Sequence, residues 1–172
     1  MNPRPTGRLV RTPTGSDLVL TRTFRASAED VWASVTEPER TARWFGPWKG
    51  DAAPGGTIQV QMAFEDQAPW CDMRIDACDP PRRLALTATD EFGTWRIELL
   101  LSEAEGSTRL RFVQHLDTEE QVGENGPGWE YYLDRLVAAR DGSPEPDFDA
   151  YHPAMKPYFT EQIEQIEQDT AR

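Results

Sequence analysis

Few side chains in this sequence could hold a metal or attack an electrophile. The soft donors are His115, His152, Cys71 and Cys78, and none stands at a zinc-ligand spacing. Neither cysteine has a histidine beside it in sequence, and there is no serine elbow, so nucleophilic catalysis has no local signature. No phosphate-cradling glycine loop or dinucleotide fingerprint occurs. The acidic pairs Glu65-Asp66 and Asp90-Glu91 fall at expected strand ends and read as solvated turns. The expectation is therefore no metal, no cofactor and no assigned catalytic residue. Binding chemistry has better candidates. Arg22 and Gln114 fall on the apolar parity of their strands, and an unpaired buried guanidinium would be very unfavourable. Either they find an internal partner, or their face borders a wet cavity in which they serve as polar handles.

The elements that would position them alternate with a period of two. Leu18, Leu20 and Phe24 share a face with Arg22 in a first strand. Ser27 with Asp30 reads as a helix cap, and Thr36 with Glu39 repeats it, predicting short helices over 28–35 and 37–44. A loop rich in Gly and Pro then carries Trp44, Phe45 and Trp48. These aromatics either cap the core end or face a ligand. A meander follows. Its inward series are Ile58, Val60, Met62, Phe64; Cys71, Met73, Ile75, Ala77; Leu84, Leu86, Ala88; Trp95, Ile97, Leu99, Leu101; and Leu110, Phe112, Gln114. Each strand has one mostly polar face, as a half-covered antiparallel sheet requires.

Trp129, Tyr132, Leu133, Leu136 and Val137 recur at helical spacing and predict the main helix from Pro127 to Arg140, stopped by Gly142. Glu130, Asp134 and Arg135 fall on its other side, and 121–125 reads as loop. Residues 143–149 are irregular. A last segment over 151–168 keeps Met155, Phe159, Ile163 and Ile166 in helical register, with Pro157 in its first turn or at a kink, and this stripe is too apolar to stay in water. It must pack on its own core or on another copy, with a homodimer slightly favoured.

At 172 residues one domain is expected, with residues 1–16 a disordered arm, 17–142 the folded unit and 143–172 its linker and helical extension. No apolar run approaches a membrane span, and the first residues lack a secretory core. Cys71 and Cys78, seven positions apart in one strand, would point to opposite faces about 23 Å apart, too far for a disulfide. A reducing, cytoplasmic setting follows. A formal charge of −12 argues against a nucleic-acid partner.

A set of short words now stands in order: Val31-Trp32, Thr36-Glu37-Pro38-Glu39, Arg43-Trp44-Phe45-Gly46-Pro47, Pro54-Gly55-Gly56, Asp79-Pro80-Pro81-Arg82-Arg83-Leu84, Thr108-Arg109-Leu110 and Gly128-Trp129. Across 17–140 the chain resembles the homologues of the activator of Hsp90 ATPase, within the START-like (SRPBCC) helix-grip superfamily. The resemblance implies an α+β fold: about six antiparallel strands curved around a long helix, with a cavity between. It also implies binding of apolar molecules, and it supplies no universal catalytic residue. The chain departs from the usual pattern at 65–69, which lacks the customary glycine, and past Ser143.

Three readings remain open. The first is a non-enzymatic binder of a small apolar or aromatic molecule, lined by Trp44, Trp48, Met62, Phe64, Met73, Trp95, Trp129, Tyr132 and Leu133, with Arg22 and Gln114 as handles. The second is an interaction module with a chaperone partner. Stimulation of a chaperone ATPase is not expected from the resembling domain alone. The third is a cyclase- or hydrolase-like enzyme, for which the sequence supplies no obvious acid or base.

Overall fold

In the computed structural model, which describes residues 3–90 and 93–170, the alternating segments form one antiparallel sheet. Its strands are β1 (Arg8–Thr12), β2 (Gly15–Phe24), β3 (Trp48–Gly50), β4 (Thr57–Gln61), β5 (Trp70–Asp79), β6 (Arg83–Asp90), β7 (Gly93–Ala104) and β8 (Ser107–Leu116). The spatial order is β1-β2-β8-β7-β6-β5-β4-β3. Eight strands replace the expected six or so, because a short strand is added at each edge. Of the turn expected at 90–93, Glu91 and Phe92 lie outside the described residues.

The edge strand β1 corrects the expectation of a disordered arm. Leu9 pairs with Leu18 and Thr12 with Gly15. The prolines around it hide the strand from a periodicity reading, and distant groups hold it. Gln162 accepts from Leu9 N (2.9 Å) and donates to Gly7 O (3.1 Å). A covered edge of this kind cannot recruit a further strand.

The first helices, α1 (Ala28–Thr36) and α2 (Pro38–Thr41), follow β2. Ser27 caps α1 by accepting from Asp30 N (3.2 Å). Thr36 does not cap α2. Its hydroxyl donates back to Trp32 O (2.7 Å), and Glu37 takes the cap position before Pro38.

The long helix α3 (Val122–Asp141) begins five residues before Pro127. A 3-10 turn, Glu119–Gln121, feeds it, with Thr118 and Gln121 in a reciprocal capping arrangement. Pro127 lies inside the helix, past its first turn, so the carbonyl of Gly123 has no helical N–H four residues on. Gly142 closes the helix with φ 78°, and its N–H bonds Ala138 O (2.9 Å). Leu133 and Leu136 are fully buried in the sheet's core, whereas Trp129 is only half-buried.

Glu130 and Arg135, on the side of the helix away from the apolar stripe, are both buried. The helix is covered on two sides, by the sheet and by the C-terminal segment. That segment ends in α4 (Lys156–Thr170), which packs on α3 and β1 of the same chain. Met155 and Phe159 are buried there, and Ile163 and Ile166 pack partly against the same core. The apolar stripe that argued for a second copy is thus largely covered in cis.

Candidate ligand-binding cavity

The loop after α2 turns its aromatics inward. Trp44 Nε1 donates to Ser34 O (2.9 Å) and Trp48 Nε1 to Thr36 O (2.7 Å). Both carbonyls belong to the last turn of α1, whose terminal acceptors need outside donors. The indoles therefore cap a helix and wall a cavity at once.

That cavity lies under α3 and has two chambers. The inner one, of about 150 Å³, is almost wholly apolar, with Trp44, Trp48, Ile58, Ile75, Leu99 and Leu133 on its walls. The outer one, of about 570 Å³, takes in Met62, Phe64, Trp95, Tyr131 and Tyr132, with Phe148 at the same opening. Phe45, Met73, Ile97 and Trp129 border both, so they form a collar between the two. The rings of the collar are locked together. Phe45 stacks on Trp129 with centroids 6.0 Å apart and meets Tyr132 edge-on at 5.1 Å, and Phe112 lies 4.3 Å behind Trp129.

The two expected polar handles lie elsewhere. Gln114 is fully buried, and its Oε1 accepts from Trp129 Nε1 (3.0 Å). It holds the collar indole instead of facing a ligand. Arg22 lines neither chamber. Its Nη2 meets Glu130 Oε1 at 2.9 Å, its Nε meets Asp134 Oδ1 at 3.1 Å, and its Nη1 donates to Thr6 Oγ1 at 3.1 Å. The internal ion pair is the alternative that the structure realises. The remaining expected lining residues all border one chamber or both.

Gln114→Leu therefore removes the only polar partner that the Trp129 indole has among the described residues. The expected cost is about 1 kcal/mol, with the Trp129 resonance broadened in 19F spectra of fluorotryptophan-labelled protein (assigned through Trp129→Phe). A sharp, unshifted resonance would show that the bond does not hold the ring.

Both cysteines face the cavity, which corrects the opposite-faces reading. Cys71 lines the outer chamber and Cys78 the inner. A register shift between Ile75 and Ala77 explains this, because a bulge inverts the parity of every residue beyond it. Both thiols are free. Burial pushes each above the usual thiol range, aided by Glu65, Asp90 and Asp72 around Cys71 and by Asp79 near Cys78. They are protonated, weak nucleophiles at neutral pH.

In the outer chamber burial also raises the Glu65 carboxyl, and Asp90 adds to the rise, against a 3.4 Å hydrogen bond from Tyr132. The Tyr132 hydroxyl is pushed far up, first by burial and then by Glu65. His115 lies away from the cavity, with Nδ1 2.8 Å from Asp17 and Nε2 3.3 Å from Glu98. His152 Nε2 lies 2.7 Å from Glu124. No group of three or more His, Cys, Asp or Glu suited to a metal exists among the described residues.

The expected set left out many lining residues, among them Ile58, Ile75, Ile97, Leu99, Cys71, Cys78, Glu65, Tyr131 and Phe148, and also Phe45. Phe45 sits between two expected tryptophans and could have been included. Cys78 could not, since nothing local marks the bulge.

A curved antiparallel sheet closed by one long helix over an apolar cavity defines a helix-grip protein. Residues 25–140 match the family model described as Activator of Hsp90 ATPase homolog 1-like protein, and the chain belongs to that family. CalU16 from Micromonospora echinospora is similar over 93% of this chain and 97% of its own, at 27% identity and TM-score 0.76. A protein of unknown function from Enterococcus faecalis, EF2215, shares the fold over 92% of this chain and 91% of its own, with 19% identity and TM-score 0.71. DynU16, of the dynemicin biosynthetic locus, does so over 77% of this chain and 50% of its own, with 21% identity and TM-score 0.66. No curated protein matches in sequence. Among the described residues, no helix is long and apolar enough to cross a membrane.

Proposed function

We propose that the protein binds a small apolar or aromatic molecule, with one ring-sized end in the inner chamber and the body in the outer. The observation that carries this reading is the pair of chambers joined at the Phe45–Trp129 collar. An apolar cavity of about 150 Å³ has room for a benzene-sized group, and an outer volume of about 570 Å³ falls in the range of small-molecule sites. The lining supports binding rather than turnover. Its thiols are held protonated, and the Glu65 carboxyl, at an exposed position of the rim, faces a tyrosine rather than a histidine or lysine. The free thiols also support a reducing, cytoplasmic setting.

The neutral fluorophore N-phenyl-1-naphthylamine tests this. It is expected to bind saturably with one site per chain and to slow alkylation of Cys71 by N-ethylmaleimide. Ala88→Trp, which fills the outer chamber from β6, should weaken it tenfold or more. Non-saturable binding that Ala88→Trp leaves untouched would overturn the proposal. The alternative, an interaction module of the chaperone-activator kind, draws support from Trp70, 48% exposed at the start of β5. That reading predicts that Trp70→Ser abolishes partner binding while the fluorophore finds no specific site.

A further inference from the structure

The outer chamber is more than a set of ring faces. Phe45, Phe64, Trp95, Trp129, Tyr131 and Tyr132 present aromatic walls, and four carboxylates interrupt them: Glu65, Asp66, Asp90 and Glu124. No lysine, arginine or histidine stands among the described residues that line it. The nearby cations are already engaged, one of them by the chamber's own Glu124, which His152 Nε2 also approaches at 2.7 Å. Lys156 Nζ reaches Glu124 at 2.9 Å. Arg135 lies against the ring of Phe64, 3.5 Å from its centroid, and lines a separate recess beyond that ring. Lys49 sits over Trp70 at 4.5 Å.

The carboxylates on the chamber side differ in what answers them. Asp90 accepts from Trp95 Nε1 at 3.0 Å. Among the described residues, Glu65 accepts only the long bond from the neutral Tyr132 hydroxyl, and Asp66 takes part in no ion pair. Burial works against the Glu65 charge, and a cation seated beside it would relieve that cost. Ring faces add to the same preference, because their negative quadrupoles attract ammonium groups. An anionic ligand would meet both sets of groups as repulsion.

We infer that the outer chamber selects an organic cation, an amine or quaternary ammonium compound, whose apolar end passes the Phe45–Trp129 collar into the inner chamber. This rests on the ligand-binding reading above and names the ligand's charge and shape. Neutral aromatics enter on hydrophobic grounds alone. The amine adds a charge contact with Glu65 and Asp66 and ring contacts with the surrounding aromatics. A charge pair at a partly solvated mouth contributes about tenfold in affinity.

Three tricyclic fluorescent probes of like size separate the possibilities: 9-aminoacridine (cationic), 9-anthracenemethanol (neutral) and 9-anthracenecarboxylate (anionic). Titration at neutral pH, read by probe anisotropy, is expected to give the cation at least tenfold tighter binding than the neutral probe. The anion should be weakest. Raising the salt concentration should narrow the first ratio, and the double variant Glu65→Gln, Asp66→Asn should bring it within about threefold. These isosteric changes preserve the fold, so the ratio reports charge. Equal affinity for all three probes, or tightest binding of the anion, would overturn the cation preference while leaving the ligand site intact. Failure of all three to bind would overturn both.

Discussion

Replacing Glu130 by alanine is expected to destabilise the fold by about 3–5 kcal/mol, with no residue of the cavity touched. Its carboxylate is fully buried, and four groups converge on it. They are Arg22 Nη2 (2.9 Å), Thr6 Oγ1 (2.8 Å), Gly7 N (3.1 Å) and Thr6 N in a very short contact. Alanine would strand a guanidinium whose side chain is 12% exposed, leaving it only Asp134 as a charge partner, and would orphan two backbone donors. Removing one member of a buried pair costs far more than the pair's net contribution. Asp134→Asn should cost less, since that carboxyl is 32% exposed. It still matters, because Tyr151 donates to Asp134 Oδ2 (2.6 Å) and ties the C-terminal segment into the same cluster. Urea unfolding measures the ordering. An alanine variant within about 1 kcal/mol of the parent would show that the cluster is not a structural hub.

This cluster marks where sequence reading runs out. Arg22 on an apolar parity announced that a partner was needed, and 108 positions separate it from Glu130. Glu130 and Asp134, four apart, share a helix face, and that face could have been read as the answer to Arg22. The charge pattern only set both opposite the apolar stripe, because a single stripe says nothing about a second covered side. The arm failed for the same kind of reason: the partner of Leu9 is Gln162, 153 positions away. The strands were legible because a half-covered sheet imposes a period of two on every residue. For that reason the inward-facing strand positions Met73 and Trp95 could be named in advance, whereas Met62 and Phe64 lie in the turn past the end of β4, and Trp129 and Tyr132 came from the helical stripe. The bulge after Ile75 broke that rule for Cys78. Gln114 was correctly read as unusual, but its partner turned out to be a cavity indole rather than a ligand.

Cavity and scaffold are coupled through α3. Its sheet-facing side supplies Trp129, Tyr132 and Leu133 to the chambers, while Glu130 and Gly126 face the terminal segments. The collar can therefore be no better ordered than the contacts on the helix's far side. Loosening α4 or the arm should reach the ligand site without altering any lining residue.

Deleting residues 143–172 is accordingly expected to lower the thermal midpoint by at least about 10 °C, with the number of chains per particle unchanged by sedimentation. The deletion uncovers β1 and removes Phe159, whose ring is fully buried between Gly7 and Gly126. A sharper test uses the contact itself. A Cβ built at Gly126 would lie 2.6 Å from three carbons of the Phe159 ring, which is backbone-to-ring approach with no flexible end to give way. Gly126→Ala should therefore destabilise by about 1–3 kcal/mol, although alanine is ordinarily favoured over glycine in a helix by about 1 kcal/mol. Phe159→Ala should cost about 3–5 kcal/mol. In that background the obstruction is gone, so Gly126→Ala should become neutral or stabilising. The sign reversal is the diagnostic result. If Gly126→Ala is stabilising in the parent as well, α4 does not seat on the glycine face of α3. A midpoint unmoved by the deletion would likewise mean that the segment contributes nothing to the fold, and that the covered side of α3 lies open to another occupant.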